Sequence, residues 1–480
     1  MKNNIFPVNF SKYAMILLSA SLISGCENTS AISEQTRQFQ PPKQWSSTQK
    51  PITEDIQPLK EWLAISDDQA LSQLISLAYQ HNFELRQAEL AVEQAKLQVD
   101  IEDSSDFPEL SLTMNQSRRK SLINGSSSIN NNAELSLNLS YELDLWGKLS
   151  DQQQMQQLRL AAEKSNYQHA KLSLHTSVVT AWYDLLENET LLKLYQERLV
   201  NLKNNQEIIQ GGYRLGLNSA LDVYLSQNEL HSEQARVQRQ MQSVIVAKRA
   251  LQVLIGEYPT GMNQLLVDEK SWPILEQQLS VELPSSVLTN RSDLTASWLE
   301  LMALDSALAV AHKQRFPQIS LSANAQDSSD ELGNLLSGDP IGWSLIGNVA
   351  APLFNAGRLK ANEERARVSV LQKEQAYLAQ LYNAFSQVES QLDNHYSLSN
   401  QLNLQLKAQE NAQAAEELAF NQYQKGLVSY TTVLEAQRRA FDNQTASIQL
   451  KSNLIKNRIA LFLSMGGQSI VDTEIEQAGL

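Results

Sequence analysis

From Lys148 to Gln210 the chain runs 63 residues without a Gly or a Pro, and from Arg358 to Lys425 it does so again for 68. Both runs are rich in Gln, Leu, Ala, Lys and Glu, which lose little on entering a helix, and both lack the residues that end one. At ~1.5 Å per residue the first would span roughly 95 Å and the second roughly 100 Å. No compact domain is that wide. The 480 residues could otherwise make two or three ordinary domains, but so few breaks point to a mainly α chain of extended helices.

What precedes each run is of the opposite kind. In "AELSLNLSYELDLWGKL", Leu135, Leu137, Leu139, Tyr141, Leu143 and Leu145 alternate with Ser136, Asn138, Ser140, Glu142 and Asp144. That period of two is a strand with one apolar and one polar face. Four such strands are expected, at Phe107–Asn115, Ala133–Leu145, Phe316–Gln326 and Gly342–Pro352.

The pairing of strand and helix occurs twice because the sequence repeats itself. "FPELSLTMNQ" at Phe107 returns as "FPQISLSANAQ" at Phe316, and "LWGKL" around Gly147 as "NAGRL" around Gly357. An offset of 210 also relates Tyr213 to Tyr423, Gly216 to Gly426 and Gly256 to Gly466. One unit spans 69–284, with a helix, a hairpin over 107–145, the long helix 148–210, a return helix 217–255 and a junction. The second spans 285–480, with a hairpin over 316–352, the long helix 358–425, a return helix 427–465 and a tail. The return helices, 39 residues each, are too short to retrace the long ones. Each is expected to stack end to end on the helix before a hairpin, near 70–102 and 285–313, with the junctions as a belt. Core heptads are expected at Leu371, Leu378, Phe385 and Leu392, and at Leu185, Leu192 and Leu199.

The N-terminus carries Lys2 and Lys12 ahead of an apolar run from Tyr13 to Ile23, the layout of an export signal over 1–25. The run ends in Ile23-Ser24-Gly25-Cys26, which resembles a bacterial lipobox, so Cys26 would carry a diacylglyceryl group and begin the mature chain. It is the one cysteine, which excludes internal disulfides and cysteine-cluster metal sites. Residues 26–68 read as an extended arm rich in Gln, Ser, Thr and Pro. The formal charge of -14 argues against nucleic acid.

In an exported chain, strands of this length suit a tilted membrane span of about 9–11 residues. Four cannot close, because membrane barrels start at ~8 strands and lipid tolerates no open edge. Several copies must share one barrel: two would close a narrow one and three would supply twelve strands. The alternative is a lipid-anchored coiled coil that forms no pore, which would leave the hairpins unexplained.

"SYELDLWGKL", "FNAGRL", "YRLGLNSALDVYLSQ" and "YQKGLVSYTTVLEAQRR" resemble the outer membrane factor family, the TolC-like channels, and most closely its lipoprotein branch. The resemblance implies a homotrimer in the outer membrane of a Gram-negative bacterium, with a 12-stranded β-barrel continuous with a 12-helix periplasmic α-barrel. It implies the exit duct of a tripartite efflux pump, joined by a periplasmic adaptor to an inner-membrane transporter of the RND type; protein secretion uses the same scaffold. The helices would turn at Gly211, Gly212 and Gly216 and at Gly426. The positions of Thr431 and Glu435 would line the closed aperture, with Asp222 in the matching part of the first unit. Rings of three carboxylates would attract cations and protonate partly near neutral pH. An arginine that some members carry is Val428 here, with Arg438 or Arg439 as substitutes. No enzyme is expected: His169 and His175 lack the spacing of a helical metal pair, and no nucleophile elbow, phosphate loop or cofactor motif appears.

Overall fold

A computed structural model describes residues 30–46, 69–123, 126–262, 272–273, 284–335 and 341–467. Cys26, the export signal, residues 263–271 of the first junction and the 468–480 tail lie outside the described residues. The chain forms α1 (Glu34–Arg37), α2 (Gln69–His81), α3 (Phe83–Asp103), β1 (Glu109–Ile123), β2 (Ser126–Leu143), α4 (Lys148–Arg214) and α5 (Ala220–Leu254). It continues with α6 (Pro284–Asn290), α7 (Ser292–Lys313), β3 (Gln318–Ser329), β4 (Gly342–Ala350), α8 (Arg358–Gln424) and α9 (Tyr430–Ser464). The repeat is carried in the boundaries: α4 and α8 are 67 residues each, α5 and α9 are 35 each, and every end is displaced by 210.

Two compact units divide the chain. The first takes residues 1–38, 95–160 and 299–376 and holds an antiparallel sheet in the order β1-β2-β3-β4. Leu110 pairs with Leu139, Leu139 with Ala323 and Ala323 with Leu345, so one register aligns small and large apolar residues across all four strands. The first hairpin runs further than its alternation suggests, through Arg118–Lys120 and Ser126–Asn132, because each strand supplies the other's hydrogen-bond partners there. At the opposite end of the sheet Asp144 accepts from the backbone N–H groups of Leu149 and Ser150 at 3.0 and 2.9 Å, capping α4.

The second unit takes residues 39–94, 161–298 and 377–480, and its core joins Trp182 and Leu185 of α4 to Leu381, Val388 and Leu392 of α8 and Ile455 and Ile459 of α9. Leu371 is a correction: it is exposed, and the buried series on α8 runs Val370, Glu374, Leu381, Ala384, Val388, Leu392 and His395. Those steps of three and four, with one of seven, drift from a strict heptad as a straighter helix requires.

Neither helix that precedes a hairpin is continuous. Asn82 ends α2, its Oδ1 accepting from the Leu85 N–H at 2.9 Å while its Nδ2 donates to Leu254 O, on the last residue of α5, at 2.9 Å. In the second repeat Arg291 takes that place, donating to Ser464 O at 3.2 Å. Gly256 and Gly466, both at positive φ, let these helix ends meet: a Cβ on Gly256 would lie 2.3 Å from His81 O, and one on Gly466 2.6 Å from the Asn290 carbonyl carbon. The break thus satisfies backbone groups that a through-going helix would leave unpaired where α5 and α9 end.

Helix α7 is long and apolar enough to cross a membrane, with a mean hydropathy of 1.3. Leu294, Leu301 and Leu308 on it are nonetheless fully buried at heptad spacing, which marks a helix packed within protein.

Candidate functional site

The sheet sorts its residues by face. On β1 the even positions Leu110, Leu112 and Met114 are apolar and exposed, and they pair with Leu139, Leu137 and Leu135. The same face continues through Ala323 and Ala325 of β3 to Leu345 and Trp343 of β4. The other face carries Ser111, Thr113, Ser136, Asn138, Ser322 and Asn324, with Asn324 donating to Asn138 Oδ1 at 2.7 Å. Where the strands meet the helices, Trp146 and Phe316 lie 5.5 Å apart and the indole N–H donates to Pro317 O at 2.6 Å; Phe107 and Phe354 are exposed. An apolar face ending in aromatic residues is the arrangement that a lipid boundary selects. Among the described residues β1 and β4 each have one edge without a partner strand.

At one end of the second unit the helices turn. Helix α4 continues through Gly211 and Gly212 to Arg214, which corrects their expected place in the turn. The reversal is made by Gly216 at φ 73°, with the Leu217 N–H donating to Gly212 O at 2.8 Å; Gly426 at φ 71° repeats it, with the Leu427 N–H donating to Gln422 O at 3.0 Å. A Cβ on Gly212 would stand 2.4 Å from Asn218 Nδ2, so a larger residue there would displace the Asn218 side chain. Asn218 donates to Ile209 O at 3.1 Å and accepts from the Tyr423 hydroxyl at 3.1 Å, tying the two turns together. Beneath them Ile209, Tyr430 and Val433 form a small buried cluster.

Asp222 closes a capping box. Its Oδ2 accepts from Ser219 N and Oγ at 3.1 and 2.8 Å, and its own N–H donates to Ser219 Oγ. Thr431 lies 2.6 Å from Ser429 Oγ, hydroxyl to hydroxyl. Glu435 accepts from Arg439 Nε at 2.7 Å and Arg438 Nη2 at 2.6 Å, and the bonds from Arg439 and then Arg438 hold its carboxyl below the ordinary value. Within one chain these bonds oppose the partial protonation expected of a three-carboxylate ring, and both arginines bond Glu435 from their own helix.

A buried ionic cluster higher in the same unit was not foreseen. Arg198 Nε lies 3.4 Å from Glu233 Oε2, Arg236 approaches the same oxygen at 3.8 Å, and the Arg198 guanidinium stacks 4.0 Å above the Phe441 ring. Burial pushes the Glu233 carboxyl up against the opposing pull of Arg198 and Arg236. The sequence reading placed Asp222 at the aperture and passed over the Ser219-x-x-Asp222 spacing that signals its capping box; the ionic cluster leaves no such local signal, since its members come from three helices.

The family model for outer membrane efflux proteins matches residues 74–257 and 283–467, one stretch in each repeat. The probable outer membrane lipoprotein SilC of Salmonella typhimurium is 27% identical over 461 residues, 95% of this chain and 99% of SilC. The toluene efflux pump outer membrane protein TtgF of Pseudomonas putida is 28% identical over 415 residues, covering 85% of each. The solved CmeC outer membrane channel of Campylobacter jejuni superposes with a TM-score of 0.81 at 21% identity, covering all of this chain and 97% of CmeC.

Proposed function

The chain belongs to the outer membrane efflux protein family, and from that membership we propose that it is the exit duct of a tripartite efflux pump, a homotrimer whose twelve strands close one barrel in the outer membrane. The observation that carries this reading is the sheet with one exposed apolar face and two unpaired edges. Lipid offers no hydrogen bonds to an open edge, so β1 and β4 must meet β4 and β1 of other copies. The polar face then lines a water-filled lumen.

The helices extend the duct into the periplasm as a twelve-helix barrel, where an adaptor joins it to an inner-membrane transporter of the RND type that supplies the energy. The duct itself performs no bond chemistry and holds no cofactor. Its covalent addition is the lipid on Cys26; the description of SilC as a probable lipoprotein supports it. Thr431 and Glu435 line the resting aperture and Asp222 braces the facing turn. Because each Glu435 brings Arg438 and Arg439 with it, the ring carries both signs of charge.

Native mass spectrometry of detergent-extracted protein, followed by planar-bilayer recording, tests the reading. Three copies and discrete conductance steps are expected. A stable folded monomer that leaves the bilayer silent would overturn it.

A further inference from the structure

Resting on that reading, the first hairpin shows a feature that a bare duct does not need. Its outward face is apolar from Leu143 to Leu135 on β2, nine residues, which at ~3.4 Å each and a tilt of ~40° rise about 23 Å, close to the ~25 Å apolar band of a membrane barrel. Beyond that band the same face of β1 turns cationic. Gln116 is followed by Arg118 and Lys120, paired with Asn131 and Ile129. Their row begins four residues past Leu135, roughly 10 Å further along the membrane normal, where long side chains leaning back reach the headgroup layer.

The rest of the strands make this placement specific. Among the described strand residues the outward face carries one other charged group, Asp327, level with Leu135 and Met114. Glu109, Arg119, Glu134 and Glu142 all fall on the lumenal face by the same alternation. Arg118 and Lys120 are exposed, and neither makes an ion pair among the described residues. They stand where β1 and β2 project as a two-stranded ribbon, since β3 pairing ends at Ala133. This leaves the Asn131 amide and a β2 edge without a partner among the described residues beside the two cations.

This end of the sheet is the one away from α3 and α4, hence the outer leaflet if the helices are periplasmic. In that leaflet of a Gram-negative outer membrane the anionic lipid is a phosphorylated glycolipid. We infer that Arg118 and Lys120, with Asn131 beside them, form a site for the phosphorylated glucosamine headgroup of lipid A. The guanidinium and ammonium groups take the phosphate, and the amide serves the sugar hydroxyls.

The probe is lipid A added to the detergent-extracted trimer, with bound lipid counted by native mass spectrometry against lipid A whose phosphates have been removed. A cation near an anionic surface contributes about fivefold in affinity. The Arg118→Gln, Lys120→Gln double variant should therefore lose retention by roughly tenfold or more, while Arg119→Gln, on the lumenal face, keeps it. Equal retention of dephosphorylated lipid, or an equal loss in Arg119→Gln, would overturn the site. A trimer that conducts normally yet holds lipid A regardless of Arg118 and Lys120 sinks this inference alone; a chain that never enters a bilayer sinks the duct with it.

Discussion

Glu435 illustrates how much one side chain's neighbours decide. Read alone, three copies of an acid at a constriction repel one another, protonate partly and favour cations. With Arg438 and Arg439 bonded to it from three and four residues on, the carboxylate is held ionised and each copy's local charge is net positive. Removing Glu435 leaves two uncompensated guanidiniums per copy. In planar bilayers under a salt gradient, Glu435→Ala is thus expected to move the reversal potential toward anions, and Arg438→Ala with Arg439→Ala toward cations. If neither shifts it, the ring does not face the conducting path.

Among the elements, the described part of the N-terminal arm, residues 30–46, is without regular structure apart from the four residues of α1. Ser33 caps α1, and its N–H and Oγ donate to Glu374 Oε1 at 2.9 and 2.5 Å within the first unit. In the second unit Phe39 stacks on Phe385 at 6.1 Å, Trp45 is 3% exposed, and Ser46 donates to Glu389 Oε1 through N–H and Oγ at 2.7 and 2.8 Å. Burial alone would raise the Glu374 carboxyl, but the bonds from Ser33 and Thr36 and the charge of Arg37 outweigh it and hold it below 4.5. The sign follows from linkage. A folded value lowered relative to the unfolded one means stabilisation that is present above pH 4.5 and lost as pH falls through the folded value. Hydrogen exchange of the amides of 31–37 should therefore be slow at pH 7 and faster, after correction for intrinsic rates, near pH 3. Glu374→Gln should show the faster exchange already at pH 7. Protection that is the same at both pH values and in the variant would refute the clasp.

For the molecule as a whole, the proposed barrel and the proposed lipid on Cys26 are two separate attachments to one membrane. A barrel closed from three chains needs no anchor to stay in place, while lipid chains on the protein stabilise its place in the membrane before any barrel exists. Cys26→Ala is thus expected to impair delivery, with less protein in the outer-membrane fraction, while the protein that arrives is still trimeric and conducts as the wild type does. Intact-mass measurement of the wild type should show a lipidated N-terminus at Cys26. Failure of the variant to assemble, or a wild-type mass without lipid, would show that the two attachments are not independent.

The sequence by itself determined the features that consecutive residues carry. The period of two in Leu135–Leu145, the Gly- and Pro-free runs and the 210-residue offset are local or self-comparing signals, and they were enough to read hairpins, long helices and a duplicated plan. The tip glycines Gly216 and Gly426 were legible for the same reason, because a left-handed turn is made within a few residues; the Ser219-x-x-Asp222 spacing is equally local, but Asp222 was read as an aperture acid and only the structure shows it as a cap. Only the tertiary structure decided what depends on a distant partner. Asn82 and Arg291 interrupt helices because Leu254 and Ser464 present carbonyls to them from more than 170 residues away. Arg118–Lys120 and Ser126–Asn132 are strand although Ser, Asn and Arg do not seek one, because a paired backbone outweighs a weak β propensity. Leu371 gave way to Val370 because the buried stripe of a helix is set by what lies against it. The charge state of Glu435 likewise depends on side-chain rotamers, which the spacing of its arginines permits but does not dictate.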